Sequence, residues 1–403
     1  MIHSFTCKNF YSFAEETTVS FAVNNKAPKN NGYFSVPSGH RLSKVATVIG
    51  PNAAGKTNLL KVLPFLKWLI IDSFNTKPED PIVVQSFAFG KAKSKPINLA
   101  VVFEIERKVY TYELVLTKEK ILNEELKLTS SPKEKKSTKK IFSRKWNETR
   151  NRYDFAGKNF KLPKGFENKN LLCSNASVIS VAARLNHPES QRIIKYWKQL
   201  ETNVVEAGWI SDYRLPNYIA QYDTFDFFNE NNALKAEAEK LLTRFDLGLS
   251  GFEIKKEKQE NGSSLKVQGT HLFNGQKQSL PVHYESSGTK QLFVLLKNIL
   301  VALQKGSIAV LDEFDINLHP EMVLALSDLF LQPETNPQNA QLLMSTHNHL
   351  LLSKLDKYQI VLVEKNENGI SEAWRLDEMN NVRPDENYYS KYLAGAYGAV
   401  PKI

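Results

Sequence analysis

Residues 50–57 read Gly50-Pro51-Asn52-Ala53-Ala54-Gly55-Lys56-Thr57, directly after the apolar run Lys44-Val45-Ala46-Thr47-Val48-Ile49. Few octapeptides constrain a fold so tightly. The run before it has the composition of a buried strand, and Asn58-Leu59-Leu60-Lys61-Val62-Leu63 after it has the apolar spacing of a helix. Strand, glycine loop and helix start together make a phosphate-binding loop. The glycines let backbone N–H groups turn toward an anion, Lys56 reaches the β- and γ-oxygens of a nucleoside triphosphate, and the Thr57 hydroxyl ligates Mg²⁺. The pattern G-x-x-x-x-G-K-[ST] arises by chance in roughly one chain in a hundred of this length, and its flanking strand and helix make chance rarer still.

At 403 residues the chain can bury a substantial core, and one large domain carrying an inserted lobe is the expectation. No apolar run has the length of a bilayer span; the longest candidate, 62–71, is interrupted by Pro64 and Lys67. The N-terminus lacks a basic region followed by an apolar one. The two cysteines, Cys7 and Cys173, cannot alone build a disulfide scaffold or a zinc site. These features imply no membrane and a cytoplasmic location. A net charge of +10 with pI near 9.2 permits an acidic partner such as DNA. Part of the excess is local, in Lys133, Lys135, Lys136, Lys139, Lys140, Arg144 and Lys145, a stretch that reads as a solvated hairpin or as a contact for phosphate or an acidic protein.

Along the chain, 17–23 reads as a strand and 28–39 as a turn-rich connection. The helix after the P-loop meets Pro64, which kinks it or marks an early turn. Residues 97–128 alternate in hydropathy: Leu99, Val101, Phe103 and Ile105 share one face, a turn falls near Arg107-Lys108, and Tyr110, Tyr112, Leu114 and Leu116 return, which is an antiparallel hairpin. Residues 170–247 read mostly as helix, ending in the apolar face Leu234, Ala238, Leu241, Leu242 and Phe245 before Gly248. No heptad seam persists, which excludes long coiled-coil arms. Asn261-Gly262 and Asn274-Gly275 are hairpin-turn dipeptides, and helix and strand then alternate to about residue 365. The division expected is 1–128, an N-terminal half with the P-loop and hairpins; 129–250, an inserted basic and helical lobe; and 251–403, a C-terminal half.

Three further segments carry chemistry. Ser307-Ile308-Ala309-Val310-Leu311-Asp312-Glu313 is an apolar strand ending in two carboxylates. Asp312 there would hold Mg²⁺ through its water shell, and Glu313 at the strand's exposed end could polarise an attacking water. Gln341-Leu342-Leu343-Met344-Ser345-Thr346-His347 is a second apolar strand ending in a histidine suited to contact a γ-phosphate. Between them Glu285-Ser286-Ser287-Gly288-Thr289 opens the apolar helix 292–303, so that a hydroxyl and backbone N–H groups face an anion. His187-Pro188-Glu189 and His271 lack metal-ligand spacing and read as surface or loop residues.

In this order the motifs resemble the ATP-binding cassette layout: an α/β P-loop NTPase of the ABC ATPase type, with an antiparallel β subdomain and an inserted, mostly helical lobe. The opening Lys8-Asn9-Phe10-Tyr11-Ser12-Phe13, the P-loop, Glu285 to Thr289, Asp312-Glu313-Phe314-Asp315 with Leu318-His319-Pro320, Ser345-Thr346-His347 and the ending Tyr392-Leu393-Ala394-Gly395-Ala396-Tyr397-Gly398-Ala399-Val400-Pro401 resemble stand-alone ABC-type AAA ATPases of bacterial abortive-infection and anti-phage loci, of the RloA/AbiL type and the PARIS-like systems. Residues 130–280 carry little of the likeness. The resemblance implies ATP and Mg²⁺ sandwiched in a homodimer or higher oligomer. Gly50, Pro51, Asn52, Ala53, Ala54, Gly55, Lys56, Thr57 and Asn58 would bind the nucleotide together with Ser286, Ser287 and Gly288, with Lys56 and Thr57 of one subunit facing Ser286 and Gly288 of the other. It implies Lys56, Glu313 and His347 as catalytic residues, and Thr57, Asp312 and a Q-loop residue at Gln85 on the metal. Ser287 stands where these ATPases often carry an acid and transporters carry Gly, and His319, where a D-loop acid would sit in other cassettes, would be an interface residue.

The chain ends about 55 residues after His347, which leaves no room for a fused TOPRIM nuclease, and it has no HNH-like cluster. The leading expectation is therefore an ATPase that senses a trigger and controls a separately encoded effector, a nuclease or toxin. The alternative is a repair-type ATPase related to SMC and OLD proteins that acts on DNA ends or structures through the basic segment. A transporter subunit fits poorly, because the inserted lobe and hairpins exceed what those compact ATPases contain.

Overall fold

The computed structural model describes residues 1–129, 138–157, 160, 173–204, 216–245, 248–259 and 262–401. The chain opens with β1 (Ile2–Lys8), β2 (Thr17–Ser20), β3 (Ala22–Val23), β4 (Tyr33–Ser35), β5 (Arg41–Ser43) and β6 (Val45–Ile49), followed by α1 (Lys56–Leu60) and α2 (Val62–Ile71). Then come β7 (Ile97–Ile105), β8 (Lys108–Leu116), β9 (Ile121–Thr129), β10 (Thr138–Asn147) and β11 (Arg152–Ala156), with α3 (Val178–Arg184), α4 (Pro188–Trp197) and β12 (Glu201–Thr202). Next are α5 (Pro216–Glu230), α6 (Asn232–Arg244), β13 (Leu249–Gln259), β14 (Gly262–Phe273), β15 (Gln276–Pro281) and α7 (Ser287–Lys305). The last elements are β16 (Ile308–Leu311), α8 (Pro320–Leu331), β17 (Gln341–Ser345), β18 (Ile360–Lys365), β19 (Ser371–Arg375) and α9 (Tyr388–Leu393).

A six-stranded sheet, β12-β16-β17-β6-β18-β19, forms the centre. Its first five strands are parallel and β19 closes one edge antiparallel. Because side chains alternate across a strand, β6 sends Ala46 and Val48 into one core and Val45 and Ile49 into another. The first core lies between this sheet, α2 to α4 and an antiparallel seven-stranded sheet, β11-β10-β9-β8-β7-β1-β2. The second is closed by α6 to α9 and the β13-β14-β15 sheet. Both faces of the parallel sheet are thus covered, as parallel strands require.

The 97–128 hairpin is β7 and β8, turning at Glu106-Arg107, with Leu99, Val101 and Phe103 buried. The Asn274-Gly275 turn joins β14 to β15 with both residues at positive φ, 49° and 76°, the pair of conformations a type I′ turn needs. The P-loop helix breaks at Lys61, between α1 and α2. Pro64 has no N–H for the carbonyl four residues earlier, so the break marks an early turn.

Two expectations need correcting. Residues 17–23 are two strands in different sheets, because buried Phe21 leaves the ladder, donating to the His3 carbonyl at 2.8 Å and accepting from Ser43 N at 2.7 Å. The connection 28–39 contains the short strand β4. The division expected at residue 129 falls at the end of β9. β9 and β10 pair across it and continue the seven-stranded sheet, α3 and α4 pack into the first core, and α6 packs into the second. Their apolar faces are covered by different halves of the fold.

The basic stretch is likewise not one surface. Lys133, Lys135 and Lys136 lie outside the described residues. Lys140 pairs with Glu125 at 2.8 Å, and Arg144 is fully buried, 2.7 Å from buried Glu124. Glu124 also accepts from Tyr112 Oη at 2.8 Å and from Val178 N at 2.9 Å, while the Arg144 guanidinium donates to the Cys173 carbonyl at 3.1 Å. This pair ties the start of α3 to the sheet. Removing one member of a buried pair leaves an uncompensated charge, so Arg144→Ala should cost about 3–5 kcal/mol of stability. Lys140→Ala, at an exposed pair, should cost less than about 1 kcal/mol. Urea-denaturation midpoints of the two variants distinguish these outcomes.

Candidate nucleotide site

The P-loop leaves β6 and enters α1. Gly50 is required by close approach: a Cβ there would run into the Val363 carbonyl of the neighbouring β18. Gly55 sits at φ +117° against the Ser371 and Ser12 hydroxyls, a conformation open chiefly to glycine. Ser371 Oγ donates to the Ala54 carbonyl, and Asn58 Nδ2 donates to Ser12 Oγ at 2.9 Å, which pins the loop to β19 and to the 8–13 segment. Lys56 is buried, with Nζ donating to the Gly50 and Pro51 carbonyls at 2.8 and 3.0 Å. Burial pulls its pKa below the ordinary lysine value, opposed by the carboxylates of Asp312, Asp315 and Glu313. Thr57 is exposed at the head of α1, and Pro51, Asn52 and Ala53 form the open rim of the loop.

Asp312 follows β16 and is held twice. Ser345 Oγ, at the end of β17, donates to Asp312 Oδ1 and accepts from Glu313 N at 2.9 Å. Asn203, just past β12, donates Nδ2 to the Asp312 carbonyl at 2.9 Å and accepts from Asp312 N at 2.7 Å. Glu313 is exposed, at φ 46°, and buried Phe314 anchors the chain after it by donating its N–H to the Ser345 carbonyl at 2.9 Å. Asp315 then accepts from His347 N at 3.0 and 3.1 Å through its two oxygens. The loops after β16 and β17 are thereby joined, with exposed His347 beside a cleft of about 310 Å³ lined by Asp315, Leu318, His349 and Tyr389. His349 is half-buried with its ring 4.9 Å from that of Tyr392. Burial lowers its pKa, and His347 and Lys56 lower it further against Asp315.

Ser286 is the N-cap of α7, its Oγ accepting from Thr289 N at 3.0 Å, and Ser286 and Ser287 are exposed. A Cβ on Gly288 would run into the Asn317 carbonyl. Among the described residues no hydrogen bond joins 286–288 to the P-loop of the same chain. Gln85 lies in an extended segment outside every sheet, not in a strand; its carbonyl accepts from Tyr11 N at 2.8 Å, one residue from Ser12, and its side chain is exposed. The structure brings its backbone to the P-loop side, and among the described residues no hydrogen bond joins its side chain to the P-loop. His319 is exposed and N-caps α8 through Nδ1, 3.3 Å from Glu321 N.

Lys56, Asp312, Glu313 and His347 therefore gather at one edge of the central sheet, while Ser286 to Gly288 stand outward on α7. Ser345, Asn203 and His349 carry no sequence signal beyond a serine at a strand end and two ordinary polar positions. Asp315 stands inside the acidic motif and takes its role only from the fold. The glycine cradle, the buried lysine, the exposed Thr57 hydroxyl and the oriented Asp312 suit a nucleoside triphosphate with Mg²⁺.

The parallel sheet with a P-loop on β6 and an acid pair after β16, flanked by an antiparallel sheet, defines a P-loop NTPase fold of the ABC ATPase type. The family model described as "AAA domain, putative AbiEii toxin, Type IV TA system" matches residues 45–353. The chain belongs to that family. Among solved structures, the SMC head domain from Thermotoga maritima is 14% identical, with 93% of this chain and 98% of that chain covered and a TM-score of 0.40. The Smc head domain with a coiled coil and joint derived from Pyrococcus yayanosii is 10% identical, with 98% and 99% covered and a TM-score of 0.45. No curated protein matches. Among the described residues no helix is long and apolar enough to cross a membrane.

Ser345 holds Asp312 from behind. Ser345→Ala should weaken the Mg²⁺ dependence of ATP turnover by about 10- to 100-fold, the range for loss of a ligand-orienting partner. Turnover titrated with Mg²⁺ at saturating ATP measures it, and an unchanged midpoint would remove Ser345 from the site.

Proposed function

We propose that the chain hydrolyses ATP between two of its own subunits and that this cycle gates a separately encoded effector, a nuclease or toxin, in anti-phage defence. The observation that carries the reading is the exposed Ser286 cap on α7, which among the described residues makes no hydrogen bond to the P-loop of its own chain and so suits contact with a nucleotide held by a second subunit. Membership in a family described by a toxin and a type IV TA system supports the effector, and the motif likeness to RloA/AbiL and PARIS-like ATPases supports its being a separate protein.

In this reading the backbone N–H groups of Asn52, Ala53, Gly55 and Lys56, with the Lys56 ammonium and Asn58, hold the phosphates. The Thr57 hydroxyl and Asp312 would hold Mg²⁺, which would supply charge neutralisation for the phosphates. Glu313, exposed at the end of β16, orients water and takes its proton. His347, fixed through its N–H by Asp315, faces the γ-phosphate, and Ser286, Ser287 and Gly288 of the second subunit close over it. Gln85, at the Q-loop position, would join them on the metal.

Replacing Glu313 by Gln removes the base and keeps the shape. Turnover should fall by about 100-fold or more, and the variant should accumulate as an ATP-bound dimer or larger assembly by light scattering. Purified with its native neighbouring genes in Mg²⁺-ATP, it should carry a neighbour-encoded protein in fixed ratio; a bare dimer without one would sink the effector reading.

One observation favours DNA contact as a second reading. A groove of about 560 Å³ between α2, α3 and α4 is lined by Arg184, Lys195, Lys198 and Asp72, and by Lys305 at the end of α7, which pairs with Glu201 at 3.3 Å. If it binds DNA backbone, Lys195→Glu with Lys198→Glu should weaken binding and flatten its salt dependence by about two phosphate contacts, as read by fluorescence anisotropy across a salt series.

A further inference from the structure

The turn that presents Ser286 is tied to the β13-β14-β15 sheet by one side-chain pair. His271 on β14 lies 2.7 Å through Nε2 from Glu285 Oε1, and Glu285 immediately precedes the Ser286 cap. The Glu285 side chain is 6% exposed and that of His271 27%. Room for the carboxylate comes from Gly269, two residues earlier on the same face of β14, where a Cβ would run into Glu285 and Leu249. Only the short turn Val282–Tyr284 separates β15 from Glu285, and it is closed by Glu285 N donating to the Val282 carbonyl at 3.1 Å. On its other side the cap abuts the loop after Asp312-Glu313, where Gly288 meets the Asn317 carbonyl and Asn317 stands at φ 58°. The outward-facing cap is therefore gripped between a backbone contact to one neighbour and the His271–Glu285 pair to the other.

We propose that His271 is a positioning residue for the subunit-completing cap: through Glu285 it fixes where Ser286 and the N–H groups of α7 meet the nucleotide held by the opposite subunit. The proposal rests on the sandwich reading above. His271 acts on the partner's site and not on its own chain's P-loop, so its loss separates turnover from nucleotide affinity. A displacement of about 1 Å at such a contact costs up to about 100-fold in rate.

Subunit mixing with full-length chains tests it, with ATP turnover as the readout. Lys56→Ala disables one subunit's P-loop and Ser286→Arg blocks the other's cap, so their mixture retains one composite site. That site joins the P-loop of the Ser286→Arg subunit to the cap of the Lys56→Ala subunit. Adding His271→Ala to the Lys56→Ala subunit should lower kcat on the order of 10- to 100-fold with KM for ATP changed by less than about twofold. His271→Gln at the same place, which keeps an N–H donor of similar reach, should recover most of the rate. Adding His271→Ala to the Ser286→Arg subunit should leave turnover as in the parental mixture. Equal loss in both placements overturns the positioning role, because it reports a folding defect. A parental mixture without turnover, when the wild type is active, overturns the sandwich reading and the proposal with it.

Discussion

The parallel seating of β6 between β17 and β18 is the constraint on which the site depends. Ser345 pairs with Val48 across β6 and β17, Leu362 pairs with Ile49 across β6 and β18, and Met344 pairs with Leu311 across β17 and β16. Parallel strands end at the same edge, so the P-loop, Asp312-Glu313 and Thr346-His347 emerge side by side. A slip of one residue would exchange the two faces of a strand, moving Val45 and Ile49 out of one core and Ala46 and Val48 out of the other. It would also carry Ser345 away from Asp312. Burial of both faces thus fixes the register, and the register fixes the chemistry.

The fit at Gly50 follows from the same arrangement. β18 passes close enough that its Val363 carbonyl leaves no space for a side chain there, so the glycine serves the sheet as well as any bound phosphate. Gly55 is likewise confined by Ser371 and Ser12. The loop is shaped by its neighbours on both sides, and the entropy of ordering it is spent in folding.

Much of this edge was legible in the residues. Apolar runs ending in Asp312-Glu313 and Thr346-His347 announce buried parallel strands with polar exits, and Asn274-Gly275 announces its turn because both residues tolerate positive φ. What sequence could not show depends on pairing. Arg144 reads as one more cation in a basic stretch until β9 and β10 pair and place it opposite Glu124. Ser345 and Asn203 look like any polar residues at strand ends until three strands align. An amphipathic helix declares that it needs a covering surface without naming it, which is why 129–250 reads as one lobe while its helices divide between two cores.

The residues after β19 bind two parts of the site to each other. Tyr392 Oη donates to the Ala399 carbonyl at 2.6 Å, Ala399 N donates to Glu364 Oε2 at 2.8 Å, and Gly398, at φ +70°, lets the chain turn against Glu364 and Trp374. Glu364 follows Val363, the residue that confines Gly50. At its other end the segment places Tyr392 against His349, two residues past His347, and Tyr389 on the cleft beside His347. One short stretch of chain therefore touches the strand behind the P-loop and the loop that carries His347. Any displacement of the His347 loop relative to β18 must break the Ala399–Glu364 bond, tilt α9, or move both together. Because His347 is also held by Asp315, which shares its loop with Asn317 and thus with the Gly288 contact, displacement there loads the cap on α7 as well.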